Sequence, residues 1–287
     1  MNTRCTLALL ILFAGLALTS GPAAARHPAL AMHVGAPIHP VEMAGEQRLL
    51  YELHVDNDSD APVALMALDV LAGSGKPLLH LDQKSLAADI DLKNGSTVLA
   101  PHAQAVVYLT ANAGTASPAS VRHRLTVVQA GRETTIAGRG VSITTAESPV
   151  LAPPIRGGTW VAVFSDKWPR GHRRVFITTD GHARLPGRFA IDWMEVDEHG
   201  HTLKDDSGLV ASSLSYGAKV LAVANARVAA VRDSVTEATR IADNKTHPHP
   251  DAAGNFISLD LGNGRFATYE HLRPGSIKIA KGDRVHV

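Results

Sequence analysis

The chain has 287 residues, 45% of them hydrophobic and 19% charged, with a formal net charge of +1. That composition is too apolar for a disordered protein, and the near-zero balance gives no argument for nucleic acid or an anionic membrane surface as partner. The length suits two domains better than one.

The N-terminus reads as an export signal. Arg4 supplies a positive n-region, Leu7 to Leu18 is an apolar run short for a bilayer, and Ala23-Ala24-Ala25 offers a small-x-small cleavage site. Residues 1–25 are expected to be a signal peptide, with the mature chain beginning near Arg26. The alternative is an uncleaved anchor. No second stretch is long and apolar enough to span a membrane, so the expected location is periplasmic or secreted. The single cysteine, Cys5, precedes the apolar run, whereas a lipid-modified cysteine would follow it. The mature chain would therefore rely on its cores rather than on disulfides.

Residues 26–147 read as all-β. Arg48 to Val55 alternates as a half-buried strand does, Asp56 to Pro62 is dense in turn formers, and Val63 to Leu71 is a second apolar strand. Further strands are expected at Ala105–Thr110, Val121–Val128 and Thr134–Ile143. Short strands at this spacing point to an immunoglobulin-like β-sandwich, with a structural or spacer role. A stiff, Pro-rich linker follows at 148–157.

Residues 158–287 read as a second β domain without a long helix. Strands are expected at Trp160–Phe164, Arg173–Thr178, Arg188–Val196, Lys219–Ala224, Arg227–Arg232, Phe256–Leu261, Arg265–Leu272 and Ser276–Ala280. Gly262-Asn263-Gly264 is a strong hairpin signal, because Asn and Gly accept positive φ; Ala224-Asn225-Ala226 is a weaker one. Val235 to Ala253 is a long polar loop. Arg170, Arg173 and Arg174 form a small basic cluster, read as a solvated strand end rather than a binding patch.

Four segments occur in a telling order: Arg188-Phe-Ala-Ile-Asp-Trp193, Tyr216 to Val223, Gly254 to Gly262, and Tyr269-Glu-His-Leu272 followed by Gly275 to Val285. Together they resemble the lysostaphin-like zinc endopeptidases, the peptidase form of the duplicated hybrid motif fold, over roughly residues 171–287. Most members of that family cut peptide cross-links in bacterial cell walls. The resemblance implies zinc as cofactor, peptidoglycan peptides as partner, and three protein ligands that leave one tetrahedral position for water. By that match Asp192 is a zinc ligand, and His271, from the Tyr-x-His-Leu segment, is a catalytic histidine facing the metal-bound water.

The sequence departs from the family pattern at two places. The position four residues before Asp192, normally a histidine ligand, is Arg188, and a fixed cation cannot ligate zinc. If strand Arg173–Thr178 returns as Arg188–Val196 in a hairpin symmetric about residue 182, His172 falls opposite Asp192 and within reach of the same ion. His172 is therefore the candidate replacement; the alternative is a strand-end histidine on the surface. His182 would sit at the hairpin tip. Alternation places Ala267, Tyr269 and His271 on one strand face, with a half-buried cross-sheet histidine as the alternative for His271. His247-Pro-His249 is read as a solvated loop. The second departure is that the family's C-terminal His-x-His is absent; His286 has no second histidine at the needed spacing. The expected function is thus a cell-wall metalloendopeptidase incomplete at its C-terminus and inactive as the chain stands. The alternative is a non-catalytic cell-wall-binding or amidase-activating module with a degenerate peptidase fold. A plain structural pair of β domains is the third reading.

Overall fold

The computed structural model describes residues 30–144, 149–165, 172–179, 182–244 and 251–287. The expected signal peptide, Arg170 and the His247-Pro-His249 tripeptide lie outside these residues. Ten strands build the N-terminal half: β1 (Leu30–Val34), β2 (Pro40–Met43), β3 (Glu46–Asn57), β4 (Val63–Ala72), β5 (Pro77–Asp82), β6 (Val98–Leu99), β7 (Ala103–Gly114), β8 (Ser120–Gln129), β9 (Arg132–Ala137) and β10 (Val141–Ser142). In the first sheet β7 pairs along one side of β3, while β2 and then β1 share its other side. In the second, β4 lies between β8 and the pair β5 and β6, and β8 carries β9 and β10 on its far side. All named pairings are antiparallel.

The two-residue period of a strand decides what lies between the sheets. Leu49, Tyr51, Leu53 and Val55 of β3 and Ala105, Val107, Leu109 and Ala111 of β7 meet Leu65, Leu68, Val70, Val121, Leu125 and Val127 of the second sheet in one buried cluster. This sandwich is the all-β arrangement expected from the strand spacing. The short helix α1 (Gln83–Asp89) is capped by Asp82, whose carboxylate accepts from the Ser85 amide, and it buries Leu86. One polar pair crosses the core: the Tyr51 hydroxyl and His123 Nε2 lie 2.8 Å apart, both residues 2% exposed.

The C-terminal half is also β, in smaller sheets. β11 (Thr159–Val163) pairs with β14 (Asp192–Val196), and β12 (Ile177–Thr179) with β13 (His182–Arg184). β15 (Ala226–Arg232), β16 (Asn255–Gly262), β17 (Arg265–Leu272) and β18 (Arg284–Val285) form a sheet in the order β17-β16-β15-β18. The Asn263-Gly264 turn is as expected: both residues have positive φ, and Gly262 pairs with Arg265 across it. Among the described residues no helix is long and apolar enough to cross a membrane.

Two expected strands are irregular instead. In Lys219–Ala224, the Leu221 amide donates to the Pro154 carbonyl, and the Val223 carbonyl accepts from the Ala152 amide. The partner there is the Pro-rich linker, and prolines lack the N–H that would extend a ladder. In Ser276–Ala280, the Asp233 carboxylate accepts from the amides of Gly275 and Ile277, so a side chain stands where a neighbouring strand would.

Candidate metal site

His172 opens a 3-10 turn, His172–Arg174, and Asp192 is the first residue of β14. His172 Nε2 and Asp192 Oδ1 lie 3.3 Å apart. The expected proximity is present, but the symmetric hairpin is not its cause. β12 pairs with β13 with Thr179 opposite His182, and Asp192 pairs with Val163 of β11. His172 reaches Asp192 because its turn packs on a second 3-10 turn, Pro186–Phe189. There the backbones are almost touching: a Cβ added to Gly187 would stand 2.2 Å from the His172 carbonyl oxygen. Glycine is required at 187 for that approach.

Arg173 and Arg174, expected to be solvated, are packed against the sandwich instead. Arg173 is 2% exposed and donates to the Thr110 hydroxyl at 2.8 Å and to the carbonyls of Leu109 and Tyr51. The Arg174 guanidinium lies 4.2 Å from the centroid of the Tyr108 ring and donates to the Ala88 carbonyl. Arg188, four residues before Asp192, is committed to the sandwich. Its guanidinium forms a two-point contact with Glu52, from Nε to Oε1 at 3.2 Å and from Nη2 to Oε2. Arg173 Nε adds a second cation 3.7 Å from Glu52 Oε1. Phe176 completes the cover, with its ring 5.9 Å from that of His54. Arg173, Arg174, Phe176 and Arg188 thus sit on the outer face of β3 and β7. Sequence reasoning missed Glu52 and the burial of Arg173. The available signal was an acidic residue in the outward register of β3, facing a chain with four arginines in residues 173–188.

His271 lies apart from this pair in the chain's placement. It is exposed, on β17, an edge strand of its sheet among the described residues. The expected alternation of Ala267, Tyr269 and His271 is broken by a bulge: Asn255 pairs with Leu272 but Ile257 with Tyr269, so Glu270 and His271 together face Phe256. His271 takes up the extra residue with φ of 58°. Its ring rests near Gly254, where an added Cβ would be 3.6 Å from Nδ1. His182 is the first residue of β13 and pairs with Thr179 of β12, so it stands in the ladder rather than at a tip.

Two ligand atoms held by one tetrahedral zinc at ~2.1 Å each stand about 3.4 Å apart. The 3.3 Å between His172 and Asp192 fits that edge. It is long for a charge-assisted N–H···O⁻ bond, which runs at about 2.7–2.9 Å. An imidazole nitrogen and a carboxylate oxygen are also the donor types zinc takes. Among the described residues no group of three His, Cys, Asp or Glu side chains converges, so a third protein ligand is not seen there. Around Asp192 the surface is apolar: Phe189, Ile191, Trp193 and Met194 are each at least 36% exposed. An open hollow of about 260 Å³ near the β15–β18 edge is lined by Asn225, Arg227, Arg284 and His286 and includes none of the candidates.

No family model matches the chain, and no curated protein matches it. Among solved structures, the X-ray structure of the Northeast Structural Genomics Consortium target SoR45 aligns at 10% identity over 45% of this chain and 96% of its own, with a TM-score of 0.28. A likeness that weak carries no argument about fold or function.

Proposed function

We propose that the C-terminal half is a lysostaphin-like cell-wall metalloendopeptidase unit, of the duplicated hybrid motif type, that holds zinc on His172 and Asp192. The observation that carries this reading is the 3.3 Å approach of those two side chains, made by residues far apart in sequence and matching one edge of a zinc tetrahedron. Zinc, when bound, would polarise the scissile carbonyl and acidify a water molecule. His172 would contribute a neutral nitrogen and Asp192 a negative charge. The exposed Phe189, Ile191, Trp193 and Met194 would give a peptide an apolar surface beside the metal.

Two ligands hold zinc more weakly than three, so the 287-residue chain is proposed to bind the metal weakly and to leave cross-links uncut. A second reading has a specific observation in its favour. Arg188, in the family's ligand position, is committed to Glu52, which suits a non-catalytic wall-binding or amidase-activating module. The deciding experiment incubates the purified chain with isolated peptidoglycan sacculi, with and without zinc. The chain should sediment with the sacculi and release no new amino groups. Zinc-dependent release of amines would make it an active peptidase. Failure to sediment would remove the cell wall as partner. Sedimentation unchanged by Trp193→Ala and independent of zinc would count against the surface beside Asp192.

A further inference from the structure

We propose that Glu52, in the N-terminal sandwich, is a positioning residue for the His172–Asp192 pair, so that the sandwich is a working part of the candidate metal site. The inference rests on the metal reading above. Glu52 lies in the outward register of β3, between the core-facing Tyr51 and Leu53. A glutamate there would ordinarily be solvated, yet it is 4% exposed. What buries it comes from the other half of the chain, and from the two segments that carry the candidate ligands.

Arg173 directly follows His172, and Arg188 precedes Asp192 by four residues. Both guanidiniums converge on the one carboxylate. A buried carboxylate between two cations is a rigid reference point, because each buried charge loses its compensating partner if the geometry opens. Their contributions are unequal. Arg173 has further acceptors in Thr110, Leu109 and Tyr51, which would hold it if Glu52 lost its charge. Arg188 makes its two-point contact with Glu52. Loss of the carboxylate therefore acts chiefly through Arg188, letting the Pro186–Phe189 turn and the start of β14 shift relative to an anchored His172. This also accounts for an arginine at 188: it ties the Asp192 side of the pair to the sandwich while histidine is supplied from residue 172.

The test uses the full chain with Glu52→Gln, which keeps the shape and removes the charge, and Arg188→Met, which leaves Glu52 paired with Arg173. Zinc affinity is measured by competition with a chromophoric chelator, with Asp192→Asn as the control for the metal reading. Both E52Q and R188M should bind zinc about tenfold or more weakly, as for removal of outer-shell support, while unfolding of the sandwich remains cooperative. A metal-free readout runs in parallel. Asp192→Asn should shift the His172 ring resonances in the native background and leave them unmoved in E52Q. Native-like zinc affinity in both E52Q and R188M overturns the positioning role and leaves the metal reading standing. Zinc binding unaffected by D192N sinks the metal reading. The positioning role then stands or falls on the resonance coupling alone, and it falls if D192N shifts His172 equally in both backgrounds.

Discussion

Lowering the pH from 7 to 4 should unload a defined part of the sandwich's stability through one buried histidine. His123 occupies the inward register of β8 with Val121 and Leu125, and its Nε2 meets the Tyr51 hydroxyl of the opposite sheet at 2.8 Å. Burial lowers its pKa from 6.5 to about 4, because a charged imidazolium would lose its hydration between two apolar layers. The unfolded chain therefore binds this proton more readily than the folded one. The contribution to stability is complete above pH 6.5, falls as the pH drops through the window from 6.5 to 4, and changes no further below it. A shift of that size corresponds to about 3 kcal/mol. Urea unfolding followed by far-UV circular dichroism, at steps between pH 7 and 4, measures it. His123→Gln keeps a polar partner for Tyr51 but cannot titrate, so its stability should decline less over the window, by about 3 kcal/mol. His39 and His54, also lowered by burial, titrate in both proteins and cancel in the comparison. Parallel pH profiles for native protein and variant would refute the argument that His123 is held neutral.

Gly187→Ala should displace the His172 turn, since the new Cβ would stand 2.2 Å from the His172 carbonyl oxygen; a loss of about 1–3 kcal/mol together with weakened zinc binding is expected in calorimetry, and unchanged values would mean the two turns are not in contact. Asn57, 1% exposed, donates to the carbonyls of Ala61 and Ala100 and accepts from the Ser59 amide. Asn57→Ala should cost about 1–2 kcal/mol in urea unfolding, because part-buried carbonyls lose their donor; a neutral effect would show that water replaces it. Gly264→Ala should cost about 1 kcal/mol by forcing a β-carbon into the φ of 70° at that hairpin turn, where no neighbour crowds it.

The sandwich was legible in the sequence because its strands are long and one face of each is buried, so alternation in β3, β4, β7 and β8 marks them directly. The Asn263-Gly264 hairpin was legible because its turn needs positive φ at both residues. What alternation cannot carry is an interruption of the period. The bulge at Glu270–His271 reverses which face His271 shares with Tyr269, and nothing in the residue types announces it. The segment 172–189 was misread for a different reason. Its two 3-10 turns are set by tertiary contacts: Arg173 and Arg188 on Glu52 of the sandwich, and Gly187 of one turn on His172 of the other. Tertiary contacts of that kind override local strand preference, so two 3-10 turns stand at the starts of expected strands. His172 and Asp192 still meet, by packing of turns rather than by hairpin register.

Zinc titration of the metal-free chain by isothermal calorimetry tests the central claim, run on the native protein and on His172→Ala and Asp192→Ala. The native protein should bind one zinc per chain weakly, and each variant should lose it. Zinc binding that both variants retain, or none in the native chain, would contradict that claim.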